Sequence, residues 1–289
     1  MTQTAAGVKG RSFETKIERI SLDKRVESAV DSLAVEEPLE IRIGFGGEHR
    51  AVSITMRTPG ADAELAAGFL FTEGILHAPA EIKAVKHCGK FPNNQNTIRV
   101  DLAEKTSVDL KRLERNFYTT SSCGVCGKSS LEALTVAGAR EVLETGAAKI
   151  PTGIIHRLPE ILSRHQTIFH ETGGLHAAAL FDFAGNLIDL REDVGRHNAV
   201  DKLIGRQFLD KKLPLAEKIL FLSGRASFEL VQKAVMAQIP VIAAVGAPSS
   251  LAVEAAREFN LTLLGFVREN RFNIYCGGNR IEASAPEPL

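Results

Sequence analysis

In the second half of the chain, short apolar runs alternate with amphipathic stretches, and this pattern predicts alternating strands and helices. Residues 177–181 and 186–190 read as a hairpin turning at Ala184 and Gly185. The stretch that follows sets Val200, Leu203, Ile204 and Phe208 on one helical face. Strand 218–222, helix 227–238, strand 241–245, helix 249–259 and strand 261–267 come next in the sequence. Apolar runs of this length, separated by helices, predict parallel strands covered by helices and joined by right-handed crossovers. The first half is less regular. Residues 39–43 and 51–56 alternate in polarity around Phe45, Gly46 and Gly47 and read as a second hairpin. Pro59 and Gly60 form a turn, and Asp62 is positioned to cap a helix that buries Leu65, Phe69 and Leu70 and runs to about Leu76. Strands at 82–87 and 97–102 and a charged helix at 109–116 complete the pattern, while the first dozen residues and the tail 283–289 read as disordered.

These elements predict an α/β protein. Residues 1–150 would form a smaller α+β domain that ends in a cysteine-bearing loop, and residues 151–289 a three-layer domain with a mixed sheet and helices. The boundary falls near Ile150 and Pro151.

Composition narrows the function. The 289 residues carry 35 Lys+Arg against 35 Asp+Glu, so the clustered positive charge that general nucleic-acid binding requires is missing. With no Trp and 2 Tyr, stacking platforms for single strands are also disfavoured. The 4 cysteines (Cys88, Cys123, Cys126 and Cys276) are too few and too uneven for a secreted disulfide framework. The first 16 residues are polar and no apolar run reaches the length of a membrane span, which predicts a cytoplasmic protein with reduced thiols.

Within residues 118–130, which are almost devoid of apolar side chains, Cys123 and Cys126 are the sharpest chemical signal. Two thiols at this spacing can share one reactive centre, and Gly124, Gly127 and Lys128 favour an exposed loop with a lowered thiol pKa. Half of a zinc site and a thioredoxin-like redox pair remain open. The first lacks a second ligand pair, and the second lacks an apolar strand before the pair. A phosphate-binding P-loop is excluded because Ser122 stands where its first glycine is required.

A second constellation is positional. The carboxyl ends of the predicted parallel strands carry residues 223–227, 246–250 and 268–271, where small residues, helix starts and arginines converge. Ligands of open α/β sheets bind at that edge, and helix N-termini with arginine forks suit phosphate. His176, just ahead of an apolar strand, and His197, at a helix start, are each open to a structural or a catalytic role. The order hairpin, helix, strand, helix matches the core of a zinc deaminase. At the ligand positions, however, this chain has Arg196, His197 and Asn198, then Ser223, Gly224 and Arg225, so deamination is not supported.

Taken together, residues 65–76, 121–128, 173–179, 192–203, 223–233 and 261–267 resemble, in order, the formate dehydrogenase accessory sulfurtransferase family (FdhD). The most specific runs are the one from Glu192 to His197 and the doubled Cys-Gly of residues 123–127. The resemblance implies a cytoplasmic homodimer that moves sulfur from a cysteine desulfurase to the molybdenum or tungsten cofactor of formate dehydrogenase. Cys123 would carry the persulfide, with Cys126 assisting or relaying. The cofactor implied is the bis(molybdopterin guanine dinucleotide) form, held as substrate by Phe266, Val267, Arg268, Glu269, Asn270 and Arg271, with no metal bound directly by the protein. The resemblance also implies a cytidine-deaminase-like second half. A non-catalytic cofactor chaperone and a Cys123–Cys126 redox switch are the competing readings.

Overall fold

The computed structural model describes residues 10–45, 48–88, 94–104, 106, 138–142 and 149–282. Cys123 and Cys126, the helix expected at 109–116 and the tail 283–289 lie outside the described residues, as do residues 1–9 of the expected disordered start.

A mixed sheet organises the second half. Its strands run β13 (Asn273–Cys276), β12 (Thr262–Gly265), β11 (Val241–Ala244), β10 (Lys218–Leu222), β8 (His176–Asp182), β9 (Leu187–Asp193). The pairs β10–β11 and β11–β12 are parallel, and the flanking pairs are antiparallel. Every residue of β11 and β12 is buried, because helices cover both faces and leave no side for polar residues. Leu220, Leu222, Ile242 and Ala244 pack toward α4 (Arg196–Leu209), α5 (Phe228–Met236) and α6 (Ser250–Glu258). The alternate residues Ile219, Phe221, Val241 and Ala243 pack against Ile155, Leu158 and Leu162 of α2 (Thr152–His165). The result is three layers.

The first half holds a four-stranded sheet in the order β4 (Glu48–Arg57), β3 (Glu37–Phe45), β6 (Thr97–Leu102), β5 (Ile82–His87). Helix α1 (Asp62–Thr72) covers it, and its Leu65, Leu70 and Phe71 share one continuous core with α4 and the mixed sheet. Helices α1 and α4 cross backbone to backbone. A Cβ added to Gly68 would lie 1.9 Å from the Asp201 carbonyl oxygen, and one added to Gly205 would lie 1.9 Å from that of Glu64. Only glycine fits at either position.

Three features differ from expectation. Asp62 does not cap α1. The N-cap is Ala61 in the left-handed region at φ 56°, while the Asp62 carboxylate takes Arg57 Nε at 3.0 Å and Nη2 at 3.1 Å. Strands β1 (Ser12–Ile20) and β2 (Val26–Ala34) form a hairpin where residues 12–34 gave no apolar pattern, since neither of its faces is covered along its length. Helices α2 and α3 (Thr167–Thr172) occupy a stretch from which no element was expected. The strand β7 (Ile150–Pro151), at the expected boundary, pairs in parallel with β14 (Ile281–Glu282), so the start of the second half lies beside its end.

Candidate functional site

The carboxyl ends of β10, β11 and β12 lie side by side, and backbone hydrogen bonds stitch their loops together. Gly246 N donates to Gly224 O at 2.9 Å, Ser249 N to Ala226 O at 3.0 Å, and Val267 N to Ala244 O at 3.0 Å. The approach requires glycine at 246, where a Cβ would lie 2.9 Å from Arg225 Cγ. Residues 223–227, 246–250 and 266–271 therefore form one edge, as their positions in the sequence predicted.

Arg225, Phe266, Arg268, Glu269, Asn270 and Arg271 are exposed at this edge, and Val267 is buried beneath them. Arg268 is braced. Its Nη1 donates to Val245 O and to Val267 O, each at 2.8 Å, while its carbonyl stands 3.0 Å from His156 Nδ1 on α2. Its remaining guanidinium N–H groups have no partner among the described residues, and Arg225 and Arg271 add positive charge at the same edge.

Beside the arginines is a cluster of ionisable groups from α4 and α5. His197 Nε2 lies 3.3 Å from Ser227 Oγ and 3.8 Å from Glu229 Oε2. The nearby His197 ring is the main reason the Glu229 carboxyl is pushed down to about 2. His176 is shifted down by burial first, then by the charges of Arg196 and His197, which favours its neutral form. The low Glu229 pKa has a measurable consequence. Its stabilisation is present above the ordinary carboxylate value of 4.5 and is lost as pH falls toward about 2. Glu229→Gln is expected to remove on the order of 2 kcal/mol at pH 6 and about a quarter of that at pH 2.5. Urea titrations at the two pH values check this, and an equal loss at both would refute it.

The run from Glu192 to Lys202 proves mostly architectural. Asp193 accepts Lys202 Nζ at 2.6 Å, Thr58 N at 3.2 Å, Gly195 N at 2.8 Å and Asn198 Nδ2 at 3.0 Å. Lys202 Nζ also donates to Thr58 O at 2.7 Å, and Asn198 Nδ2 to Met56 O at 2.7 Å. Glu192 accepts the backbone N–H groups of Ile168 and Phe169 at the start of α3. These bonds tie β4 and α3 to the mixed sheet. His197 is the member of the run that reaches the edge, through Ser227.

A cavity of about 490 Å³ opens next to the arginine edge, between α2, α3 and the ends of β8, β10 and β11. Sequence reasoning missed it together with α2 and α3. The spacing of Ile154, Ile155, Leu158, Ile161 and Leu162 was the available signal, interrupted by Pro159 inside the helix.

Among the cysteines, burial pushes the Cys276 thiol up, and its Sγ donates to Leu261 O at 3.4 Å, so it is a poor thiolate source. Cys88 is exposed. Among the described residues, no three His, Cys, Asp or Glu side chains converge on a possible metal position, and no helix is long and apolar enough to cross a membrane.

The FdhD/NarQ family model matches residues 34–282. The chain belongs to the FdhD/NarQ family. Relatives named "Sulfur carrier protein FdhD" include one from Streptomyces coelicolor, 48% identical over 267 residues, which covers 91% of this chain and 93% of the relative. One from Streptomyces avermitilis is 50% identical with the same coverage, and one from Mycolicibacterium paratuberculosis is 50% identical over 255 residues. The fold is also that of a solved structure from Desulfotalea psychrophila assigned as a formate dehydrogenase accessory protein. It matches with a TM-score of 0.72 at 24% identity and covers 94% of this chain and 100% of that one. FdhD/NarQ membership accounts for the order of the matching segments along the sequence.

Proposed function

We propose that this protein accepts sulfur as a persulfide on Cys123 from a cysteine desulfurase and delivers it to the molybdenum or tungsten of a bis(molybdopterin guanine dinucleotide) cofactor destined for formate dehydrogenase. The observation that carries this reading is the arginine edge. Arg225, the braced Arg268 and Arg271 converge at the strand ends of a family member whose relatives are named sulfur carriers. A dinucleotide cofactor presents diphosphates, and guanidinium forks beside helix starts suit them. Phe266, with its ring 39% exposed and φ of 53°, offers an apolar face beside them.

In the loading step, the Cys123 thiolate attacks the outer sulfur of the donor's persulfide, and the donor cysteine leaves as a thiolate. The reading takes the protein to be a cytoplasmic homodimer in which these thiols stay reduced. It takes the second half to be deaminase-like, supported by the order hairpin, helix, strand, helix, strand, helix, strand over residues 176–265. Arg196, His197 and Asn198, with Ser223, Gly224 and Arg225, stand where that fold's zinc ligands would be.

Incubation with a cysteine desulfurase and labelled cysteine tests the reading. The expected result is a reducible gain of about 32 Da on the Cys123 peptide. Arg268→Ala and Arg271→Ala are each expected to weaken GDP binding about tenfold. Absence of the gain would remove the carrier role, and unchanged GDP affinity in both variants would remove the arginine edge as the cofactor site.

A further inference from the structure

The loop that joins β12 to β13, residues 266–272, carries Arg268 and Arg271 of the arginine edge. Gly265 and Asn273 pair across its base. Its first two residues are tied to the sheet end, Phe266 N donating to Gly246 O at 3.2 Å and Val267 N to Ala244 O at 3.0 Å. The side chains from Arg268 to Arg271 are all exposed, so no apolar burial holds this part of the loop in shape.

Hydrogen bonds to Arg268 do that instead. Its backbone N donates to Arg271 O at 2.8 Å, which closes the turn between the two arginines. Its Nη1 folds back onto the carbonyls of Val245 and Val267. The Arg268 carbonyl is met from outside the sheet end, by His156 Nδ1 at 3.0 Å. A carbonyl oxygen only accepts, so the imidazole carries a proton on Nδ1 in this bond.

His156 stands on a firm base. It lies on α2, where its neighbour Ile155 and, one turn on, Leu158 are buried in the core against the mixed sheet. The imidazole also meets the Phe272 ring, with centroids 5.1 Å apart and planes inclined at 51°. One side chain of α2 therefore touches the loop at Arg268 and again at Phe272, on either side of the turn that carries the arginines.

We propose that His156 is a positioning residue for the arginine edge: its Nδ1–H, donated to the Arg268 carbonyl, holds the turn and so fixes how the Arg268 and Arg271 guanidinium groups are presented to a diphosphate. The diphosphate rests on the reading of the edge given above, whereas the hold on the turn rests on the bond and the ring contact. A turn released from His156 presents both guanidinium groups for only part of the time, and the apparent affinity falls by that fraction.

Calorimetric titration of the full chain with GDP, together with hydrogen exchange of the amides of residues 266–272, tests this role. His156→Phe keeps a ring against Phe272 and removes the donor. His156→Asn removes the ring and returns an amide N–H near the position of Nδ1. His156→Phe is expected to weaken GDP binding about fivefold and to speed exchange in the loop by a similar factor, with the thermal midpoint unchanged. His156→Asn is expected to stay within about twofold of the wild type in both measurements. His156→Ala, which keeps neither group, should match His156→Phe and replaces it if that variant misfolds. Unchanged GDP affinity in the variants that lack the donor overturns the role of His156. So do equal losses in His156→Phe and His156→Asn, or a loss of affinity that follows a falling thermal midpoint through the whole series. Failure of the wild type to bind GDP would instead fell the arginine edge as the diphosphate site, and the exchange comparison would still decide whether His156 holds the turn.

Discussion

Lys233→Met is expected to destabilise the fold by about 3–5 kcal/mol, the cost of leaving a buried charge without its partner. Lys233 Nζ donates to both Asp201 carboxylate oxygens at 2.8 and 2.9 Å and to Thr72 Oγ1 at 3.0 Å. Thr72 Oγ1 in turn donates to Asp201 at 2.8 Å. All three residues are buried, with Lys233 4% and Asp201 2% exposed. Together they join α1, α4 and α5 at the level where Gly68 and Gly205 bring two backbones into contact. Removing the ammonium leaves the Asp201 carboxylate at a helix crossing too tight to admit water. The paired variant Lys233→Met with Asp201→Leu is expected to recover most of the loss, because it removes both charges and fills the space with apolar atoms. Urea denaturation of the single and paired variants decides the matter. A loss below about 1 kcal/mol for Lys233→Met would mean that the pair is hydrated and peripheral.

Such interactions mark the limit of what the chain shows before it folds. The parallel strands were legible because each is a continuous apolar run, and β10 spans residues 218–222 as expected. From that, the arginine edge followed by topology alone. The hairpin β1–β2 was not legible. Phe13, Ile20, Val26 and Val30 are exposed apolar residues scattered over two faces, with no core to impose a period of two. Asp62 was read as a cap because its position before an apolar helix is a local signal, whereas Arg57, which claims its carboxylate, does so through a tertiary contact. The same reason hid the cavity. Ser163, Gln166 and Phe169 carry no motif, and their meaning appears only when α2 and α3 are laid against His176, Ser223 and Val245.

The run from Glu192 to Lys202 shows the opposite case, a signal legible as a family mark but not as a role. Of its polar residues only His197 was open to a catalytic as well as a structural role, and most of the run is consumed in holding β4 and α1 to the sheet. Asp193 alone accepts from Thr58, Gly195, Asn198 and Lys202. What it lends the site is position. With Asp193 fixing the start of α4, His197 reaches Ser227 and Glu229 across the gap to α5.

The two cysteines of the proposed carrier are expected to fail in different ways when removed one at a time. Cys123→Ala should accept no sulfur, because the atom that attacks the donor's persulfide is gone, and burial makes the Cys276 thiol a poor substitute. Cys126→Ala should load about as much sulfur as the wild type and release it slowly. In the intact protein the Cys126 thiolate can attack the inner sulfur of the Cys123 persulfide, forming a Cys123–Cys126 disulfide and expelling hydrosulfide, so that the sulfur–sulfur bond broken is replaced by the one made. The disulfide must then be reduced by a cellular thiol before another cycle. Without Cys126 this exit closes, and the persulfide persists until an external thiol removes it. Intact-mass measurements over time, with and without a small thiol, distinguish the two variants. Both are expected to retain GDP binding, because Arg268 is braced by the carbonyls of Val245 and Val267. Loading of Cys123→Ala to wild-type level would move the carrier role to Cys126, and equal release rates in Cys126→Ala and the wild type would show that the second thiol takes no part in delivery.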